Sequence, residues 1–252
     1  MTGVQDLLWL AAPVAALLAA CALLVPLGAQ VLARGVVFID LAVAQVAALG
    51  ALVVGMAWEN PSALLSAAAT AAAALLGSAL VWWLARHWPQ QREALIGLVY
   101  VAGASACVIA VAFDPHGRER LTALLAADIL WAPWPSAGVL AGGAAVVLAL
   151  AGTAGQRLRR DGLFYPVFAL SLSLAVPVLG LYLVFALLIA PALWTRRERS
   201  LQAAVLLGAA AALTGLATSW ALDWPSGACV SVALCALGIA AALRPCRRAH
   251  RP

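Results

Sequence analysis

The sequence predicts an all-α polytopic membrane protein with about 8–9 transmembrane segments, and three observations support this fold class. Of the 252 residues, 65% are hydrophobic and only 10% are charged. The mean hydropathy is +1.02. Soluble domains carry roughly 25% charged residues, so this chain has too few polar groups to cover a surface that faces water. The charged residues also divide the chain into long apolar runs, each of which must bond its own backbone as a helix inside lipid.

The apolar runs indicate a single transmembrane domain over residues 1–252. A helix of about 20 residues crosses the ~30 Å hydrocarbon layer. The segment from Met1 to Asp6 has no basic residue, and the apolar stretch behind it is too long for the core of a signal peptide, so we expect it to stay in the mature protein. Eight runs reach or approach this length: 7–33, 41–58, 60–85, 94–113, 129–156, 162–195, 200–222 and 224–243.

The positions of the arginines predict how the runs are connected. Arginine-rich short loops stay on the cytoplasmic side. Thirteen of the fifteen Arg residues can lie there if the amino terminus is outside and the run 162–195 crosses twice. Pro177 and Gly180, in the middle of this run, permit a broken or re-entrant pair around 163–194. The alternative is one long tilted helix with a proline kink.

Several classes of function are disfavoured by what the chain lacks. All fifteen basic residues are Arg, so no phosphate-binding loop of the Gly-Lys-Ser/Thr type is present. The arginines form no basic face with interleaved aromatic residues, which argues against nucleic acid. The five cysteines form no Cys-x-x-Cys pair, and His87, His116 and His250 fall in loops or the tail. We therefore expect no enzyme activity, no structural metal and no tightly bound cofactor.

Asp40 is the one charged residue that reaches into an apolar run, and Gln45 follows it in the same predicted helix. An ionisable group inside a membrane costs roughly 2.5 to 3.5 kcal/mol on insertion scales and therefore indicates a function. Five residues place the two side chains about 140° apart around a helix, so we expect one to face a pathway and the other a neighbouring helix. The alternative is a helix-start residue followed by an interhelical contact. A proton-driven carrier would normally contain several buried ionisable groups. This chain offers at most one, which argues against a carrier of that class.

Nine of the ten tryptophans lie at or near run ends, as expected for an aromatic belt at the membrane surface. These are Trp58, Trp82, Trp83, Trp88, Trp131, Trp134, Trp194, Trp220 and Trp224.

Five segments, in the same order along the chain, are similar to motifs of one transporter family. The first extends from Pro26-Leu27-Gly28 through Arg34 to Gly50, and the second is EALIG, with Glu93 and Gly97. They are followed by LLAADIL with Asp128, VLGLYLVFALLIAPAL with Gly180 and Pro191, and SWALDWPSG with Ser219, Asp223, Pro225, Ser226 and Gly227. Together they resemble the permease subunits of bacterial ABC transporters for zinc and manganese, the family called ABC-3.

This resemblance implies a homodimer in the bacterial inner membrane, with the translocation path for Zn²⁺ or Mn²⁺ at its centre. A cytoplasmic ABC ATPase subunit would supply the energy, and an extracytoplasmic metal-binding protein would deliver the ion. The metal is then a substrate, and the permease needs no nucleotide site. The family's ATPase contact maps onto Gln156 to Gly162, which makes Arg157, Arg159, Arg160 and Asp161 the candidate contacts. Asp128 corresponds to a short external helix or gate.

The sequence departs from the family pattern in two places. The family's path-lining Asp and His align with Leu41 and Gln45, and Asp40 is shifted by one position. A path with Asp40 and Gln45 offers only oxygen ligands, which suit Mn²⁺ better than Zn²⁺. The segment 156–162 is also shorter than the family's coupling loop. Two alternatives therefore stay open: a permease of the same architecture for a metal chelate or other small solute, and a carrier or structural membrane protein without ATPase coupling.

Overall fold

The computed structural model describes residues 9–36, 38–58, 61–113, 117–153, 160–195 and 200–243. Within these ranges all regular structure is helical, which confirms the predicted all-α polytopic fold. The elements are α1 (Ala11–Arg34), α2 (Ile39–Ala57), α3 (Ala63–His87), α4 (Arg92–Ala112), α5 (Gly117–Leu125), a 3-10 helix (Ile129–Trp131), α6 (Trp134–Thr153), α7 (Asp161–Leu179), α8 (Leu181–Ile189), α9 (Ala192–Thr195), α10 (Leu201–Leu222) and α11 (Ser226–Leu243).

Seven of the described helices are long and apolar enough to cross a membrane, namely α1, α2, α3, α4, α6, α7 and α10. Two shorter apolar stretches, Leu181–Thr195 and Ser226–Ala241, bring the total close to the predicted number. The run 162–195 is broken, as predicted, into α7, α8 and the short α9, and the alternative of one kinked helix is wrong. The break lies at Gly180 (φ 74°, ψ 159°), whereas Pro177 is accommodated inside α7.

The helix ends segregate to two ends of the bundle. At one, which we call the Arg34 end, Arg34 at the end of α1 donates a hydrogen bond to Asp161 at the start of α7. At the other, which we call the Trp58 end, Arg120 of α5 donates a hydrogen bond to the backbone carbonyl of Gly55 in α2, over 2.7 Å. The alternating passage of the helices between these two ends is what a chain that crosses a membrane repeatedly requires.

Helices α1 and α2 lie at the centre of the bundle. Helix α1 packs against α6, α8 and α10, while α2 packs against α3, α4 and α7. Small residues allow the close approach, as is usual where lipid gives no hydrophobic drive for association. A Cβ added at Gly28 of α1 would lie 1.8 Å from the carbonyl oxygen of Leu188, and one at Gly50 of α2 would lie 2.4 Å from the Cβ of Ala73.

Most of the tryptophans near helix ends are exposed, in accord with an aromatic belt: Trp58, Trp83, Trp88, Trp131, Trp134, Trp220 and Trp224. Trp194 is an exception, and its assignment to the belt is wrong. It is only 4% exposed, and its indole N–H donates to the backbone carbonyl of Leu237, over 3.2 Å. The charged residues that follow Trp194 indicate a helix end in the sequence. They do not show whether the indole ring points to lipid or into the protein.

Candidate functional site

Asp40 lies in the first turn of α2, at the Arg34 end of the bundle. The chain leaves α1 through Gly35, whose φ of 65° ends the helix, and starts α2 after Phe38, which provides no side-chain cap. A helix start favours a negative charge through the helix dipole. Asp40 is nevertheless only 2% exposed, and neither carboxylate oxygen has a hydrogen-bond partner within the described residues. Such burial is costly unless a cation or a hydrogen-bond donor compensates the charge.

Glu93 occupies the same position in α4 that Asp40 occupies in α2. It lies in the first turn of that helix, and both of its carboxylate oxygens are buried without a hydrogen-bond partner in the part of the chain that the structure describes. The sequence alone indicates only a structural role for Glu93, as part of the family motif. The available signal was an acidic residue at the start of an apolar helix in a chain with few charges.

Helices α2 and α4 run side by side in the same direction. The thiol of Cys107 in α4 approaches the carbonyl of Gln45 in α2 at 3.8 Å. Leu52 lies about two turns after Gln45 in α2, and it packs in a cluster with Cys107 and with Val111, which lies about one turn after Cys107 in α4. Both helices therefore begin at the Arg34 end, and Asp40 and Glu93 belong to the same end of one helix pair.

Gln45 faces α4 rather than an open path. A Cβ added at Gly103 of α4 would lie 3.2 Å from the Cβ of Gln45, which is only 4% exposed. Leu41 precedes Gln45 by four residues, so the two share a face of α2. Asp40 points about 100° away from Leu41, because successive residues are spaced by 3.6 per turn.

A cavity of about 360 Å³ lies between the starts of α2 and α4. Its lining consists of Phe38, Leu41, Glu93, Ala94, Gly97, Leu98, Tyr100 and Val101. Leu41, which aligns with the family's Asp, thus lines the same cavity as the unpartnered Glu93. Gly97 has open space where a side chain would be. Glu93 of α4 thus lies beside the cavity at a place where α2 presents an apolar side chain.

The described residues contain no group of three or more His, Cys, Asp or Glu side chains that could hold a metal ion. The polar side chains at this end are carboxylates and an amide, from Asp40, Glu93 and Gln45. Such oxygen donors suit hard divalent cations. The arrangement can give a passing cation charge compensation, but it does not form a closed coordination cage.

At the Trp58 end, Asp128 organises the segment between α5 and the 3-10 helix. Its carboxylate accepts a hydrogen bond from the backbone N–H of Leu130, at 3.2 Å, and a short one from the hydroxyl of Ser226. Gly180 and Gly227 both pack against Ala127, the residue before Asp128. A Cβ at Gly180 would lie 2.5 Å from the Ala127 nitrogen, and one at Gly227 would lie 2.5 Å from the Ala127 oxygen. Asp128, Gly180 and Gly227 are therefore brought together in space.

Of the four residues predicted to contact an ATPase, the structure describes two. Arg160 is exposed and directly precedes α7. The side chain of Asp161 is 61% exposed and bonds to the Nε of Arg34 at 3.2 Å, a pairing that the sequence did not indicate. The Arg34 guanidinium also lies 3.8 Å from the centre of the Phe164 ring. Arg157 and Arg159 lie outside the described residues.

The remaining motif residues have local structural roles. Asp223 adopts a left-handed conformation (φ 54°) that ends α10. Pro225 follows and accepts the backbone N–H of Cys229, at 3.1 Å, in the first turn of α11. Pro191 packs against α10, where a Cβ at Gly208 would lie 2.8 Å from the Cγ of its ring.

Comparison with known proteins agrees with the resemblance found in the motifs. Residues 149–244 match the ABC 3 transport family. The fold is similar to that of a solved structure, "PsaBC from Streptococcus pneumoniae in complex with Fab". That likeness has a TM-score of 0.67 and a sequence identity of 15%, and it covers 97% of this chain and 93% of the other. No curated protein matches the chain significantly.

Proposed function

We propose that this chain, a multi-pass permease of the ABC 3 transport family, forms the translocation path of an ATP-driven importer for divalent metal ions, Zn²⁺ or Mn²⁺. The observation that carries the proposal is the pair of buried carboxylates, Asp40 and Glu93, at the starts of the parallel helices α2 and α4. Neither has a hydrogen-bond partner among the described residues. Buried charges in proteins are normally paired or coordinate metals.

A passing cation would compensate the buried negative charge that the described residues leave without a partner. Because Asp40 and Glu93 supply only oxygen donors, the path favours Mn²⁺ over Zn²⁺. Transport also requires that binding be weak enough for release. Two carboxylates, without imidazole or thiolate, fit that requirement better than a four-ligand cage does.

The partners follow from the same function. We propose a homodimer in the bacterial inner membrane, with an extracytoplasmic metal-binding protein at the Trp58 end and an ABC ATPase at the Arg34 end. The ATPase would contact the segment 156–162, with Arg157, Arg159, Arg160 and Asp161 as the contacting residues. Asp128 and the 3-10 helix would then form a gate at the opposite end.

A second candidate is a permease of the same architecture for a metal chelate or another small solute. It is favoured by the absence of a three-ligand metal cluster in the described part of the chain, because a solute that carries its own ligands needs none from the path. A carrier without ATPase coupling has no observation in its favour beyond the membrane-spanning fold.

The test is the elemental content of metal-starved bacteria that carry the complete transporter, with Asp40→Asn or Glu93→Gln in the permease. We expect accumulation of one divalent metal to fall to about a tenth, a loss of about 1.4 kcal/mol at the path. Glu119→Gln is the matched control, because Glu119 is an exposed acidic residue in the first turn of α5.

A purely structural role for the carboxylates would predict that the neutral amides lower the melting temperature of the purified protein. Since neither carboxylate has a hydrogen-bond partner among the described residues, we expect instead that the amides leave the melting temperature unchanged or raise it. Normal uptake by both variants at normal membrane levels would remove these residues from the path. If the wild-type transporter changes the content of no metal, the chelate or small-solute function replaces the metal ion.

A further inference from the structure

An apolar groove of about 400 Å³ lies between α3 and α7 at the Arg34 end. The groove is open at the surface of the bundle, where Leu75, Ala79 and Pro166 are exposed. Its floor is closed by a hydrogen bond, 2.9 Å long, from the Ser78 hydroxyl to the backbone carbonyl of Tyr165. The lining residues are Leu75, Ser78, Ala79, Trp82, Asp161, Gly162, Tyr165 and Pro166.

A polar recess of about 180 Å³ continues the groove toward the end of the bundle. The two share Trp82, Asp161 and Tyr165. The other residues around the recess are Arg34, Val36, Ala85, Arg86 and Arg92. Three arginines and one aspartate give its lining a net charge of +2, so an apolar slot opens directly into a basic one.

Two of the three arginines are available to a ligand. Arg34 is held by Asp161 and by Gln30. Arg86 is exposed, and its guanidinium lies 5.6 Å from the centre of the Trp82 ring. Arg92 passes beside Gly35, where its Nη2 lies 3.4 Å from the position of an added Cβ. Neither Arg86 nor Arg92 donates a hydrogen bond to another described residue.

The groove and recess have the dimensions and order of one membrane leaflet. From Leu75 to Arg86 along α3 the helix rises about 16 Å, roughly half of the ~30 Å hydrocarbon layer. Trp82 lies between the apolar and basic parts, which is the depth that tryptophan prefers at a membrane surface. The acyl chain and the headgroup of a lipid would meet the two parts in this order.

We propose that this groove binds a phospholipid with an anionic headgroup, with its phosphate on Arg86 and Arg92 and an acyl chain along Leu75, Ala79 and Pro166. Basic pockets between transmembrane helices bind anionic headgroups. A zwitterionic lipid brings no net negative charge to a recess of +2, whereas an anionic headgroup lowers that charge, and a free anion would leave the apolar groove empty. The site is separate from Asp40 and Glu93, and the proposal needs only a membrane-spanning chain.

The test uses the full-length protein in detergent, with bound lipid counted by native mass spectrometry. The probes are phosphatidylglycerol and phosphatidylcholine with identical acyl chains. We expect phosphatidylglycerol to bind at least about tenfold more tightly, and Arg86→Gln or Arg92→Gln to remove that preference, since each deletes a charge-assisted contact. Arg118→Gln is the matched control, because Arg118 is exposed on α5, near the Trp58 end.

A second pair of variants tests the groove independently of charge. Ala79→Phe fills the groove and should weaken binding of phosphatidylglycerol about tenfold, whereas Ala68→Phe should leave it unchanged. Ala68 is exposed and lies on nearly the same face of α3, but outside the groove. Equal binding of the two lipids would overturn the proposal, and so would Arg86 and Arg92 variants with wild-type affinity. Displacement of the lipid by millimolar inorganic phosphate alone would identify a simple anion site instead.

Discussion

Replacing Gly180 by alanine tests the break between α7 and α8 in the run 162–195. Gly180 has φ 74° and ψ 159°, a region of backbone space that is essentially restricted to glycine. An alanine there costs about 1 to 3 kcal/mol in backbone strain. The added Cβ would also lie 2.5 Å from the Ala127 nitrogen and 3.0 Å from the Leu125 oxygen. Both are backbone atoms that cannot rotate away, and overpacking of this kind adds about 1 to 3 kcal/mol.

The two contributions give an expected loss of about 2 to 6 kcal/mol for Gly180→Ala. Whole proteins are stable by only about 5 to 15 kcal/mol, so we expect a much reduced yield of folded protein. The measurement is reversible unfolding of the purified protein in mixed micelles, followed by circular dichroism. Gly142→Ala is the control, because nothing lies within 4 Å of its added Cβ in α6.

In the control, alanine replaces a glycine inside a regular helix and should stabilise it by about 0.5 to 1 kcal/mol. The reasoning is refuted if Gly180→Ala unfolds at the same denaturant level as Gly142→Ala. That result would mean that α7 and α8 can be joined through an ordinary backbone conformation, and that the contact with Ala127 yields without cost.

Two further predictions concern contacts between distant parts of the chain. Ser226→Ala removes the hydroxyl that donates to Asp128, and it should lower the free energy of unfolding by about 1 to 3 kcal/mol because the carboxylate keeps fewer donors. Chemical denaturation of the variant beside Asp128→Asn measures this, and equal stability of wild type and Ser226→Ala would contradict it. Gly28→Ala places a Cβ 1.8 Å from the Leu188 oxygen, so α1 and α8 must separate and little folded protein should reach the membrane. Gly143→Ala, whose Cβ would have ordinary contacts at 3.5 Å, should accumulate normally, and a normal level of Gly28→Ala on a membrane immunoblot would contradict the close approach.

The helices were predictable because membrane insertion leaves so few choices. Charge-free runs of sufficient length must be helical in lipid, and Gly180 near a proline indicated the break. The segment between α4 and α6 was harder to predict. Its helix α5 is short and carries Arg118, Glu119 and Arg120, so the pattern of apolar runs does not predict this helix. Its position depends on distant partners, such as Ser226, that a local pattern cannot reveal.

The candidate site was predicted only in part, for a physical reason. Asp40 was identifiable because a charge inside an apolar run is expensive. Glu93 directly follows Arg92, outside the run 94–113, and the sequence indicates for it only a place in a family motif. Only the packing of α4 beside α2 shows that its oxygens are buried without a hydrogen-bond partner among the described residues. In the same way, the angular spacing of Asp40 and Gln45 was calculable, but the neighbour that Gln45 contacts was not.

The close packing around Ala127 has a consequence for how the Trp58 end can move. The connection between α7 and α8 and the start of α11 both pack against Ala127, in the segment before the 3-10 helix, so closely that a Cβ added at Gly180 or at Gly227 would lie 2.5 Å from its backbone atoms. None of the three can shift alone without a collision or a lost hydrogen bond from Ser226. Motion here is therefore cooperative, and backbone amides in all three segments should exchange with deuterium at one shared opening rate.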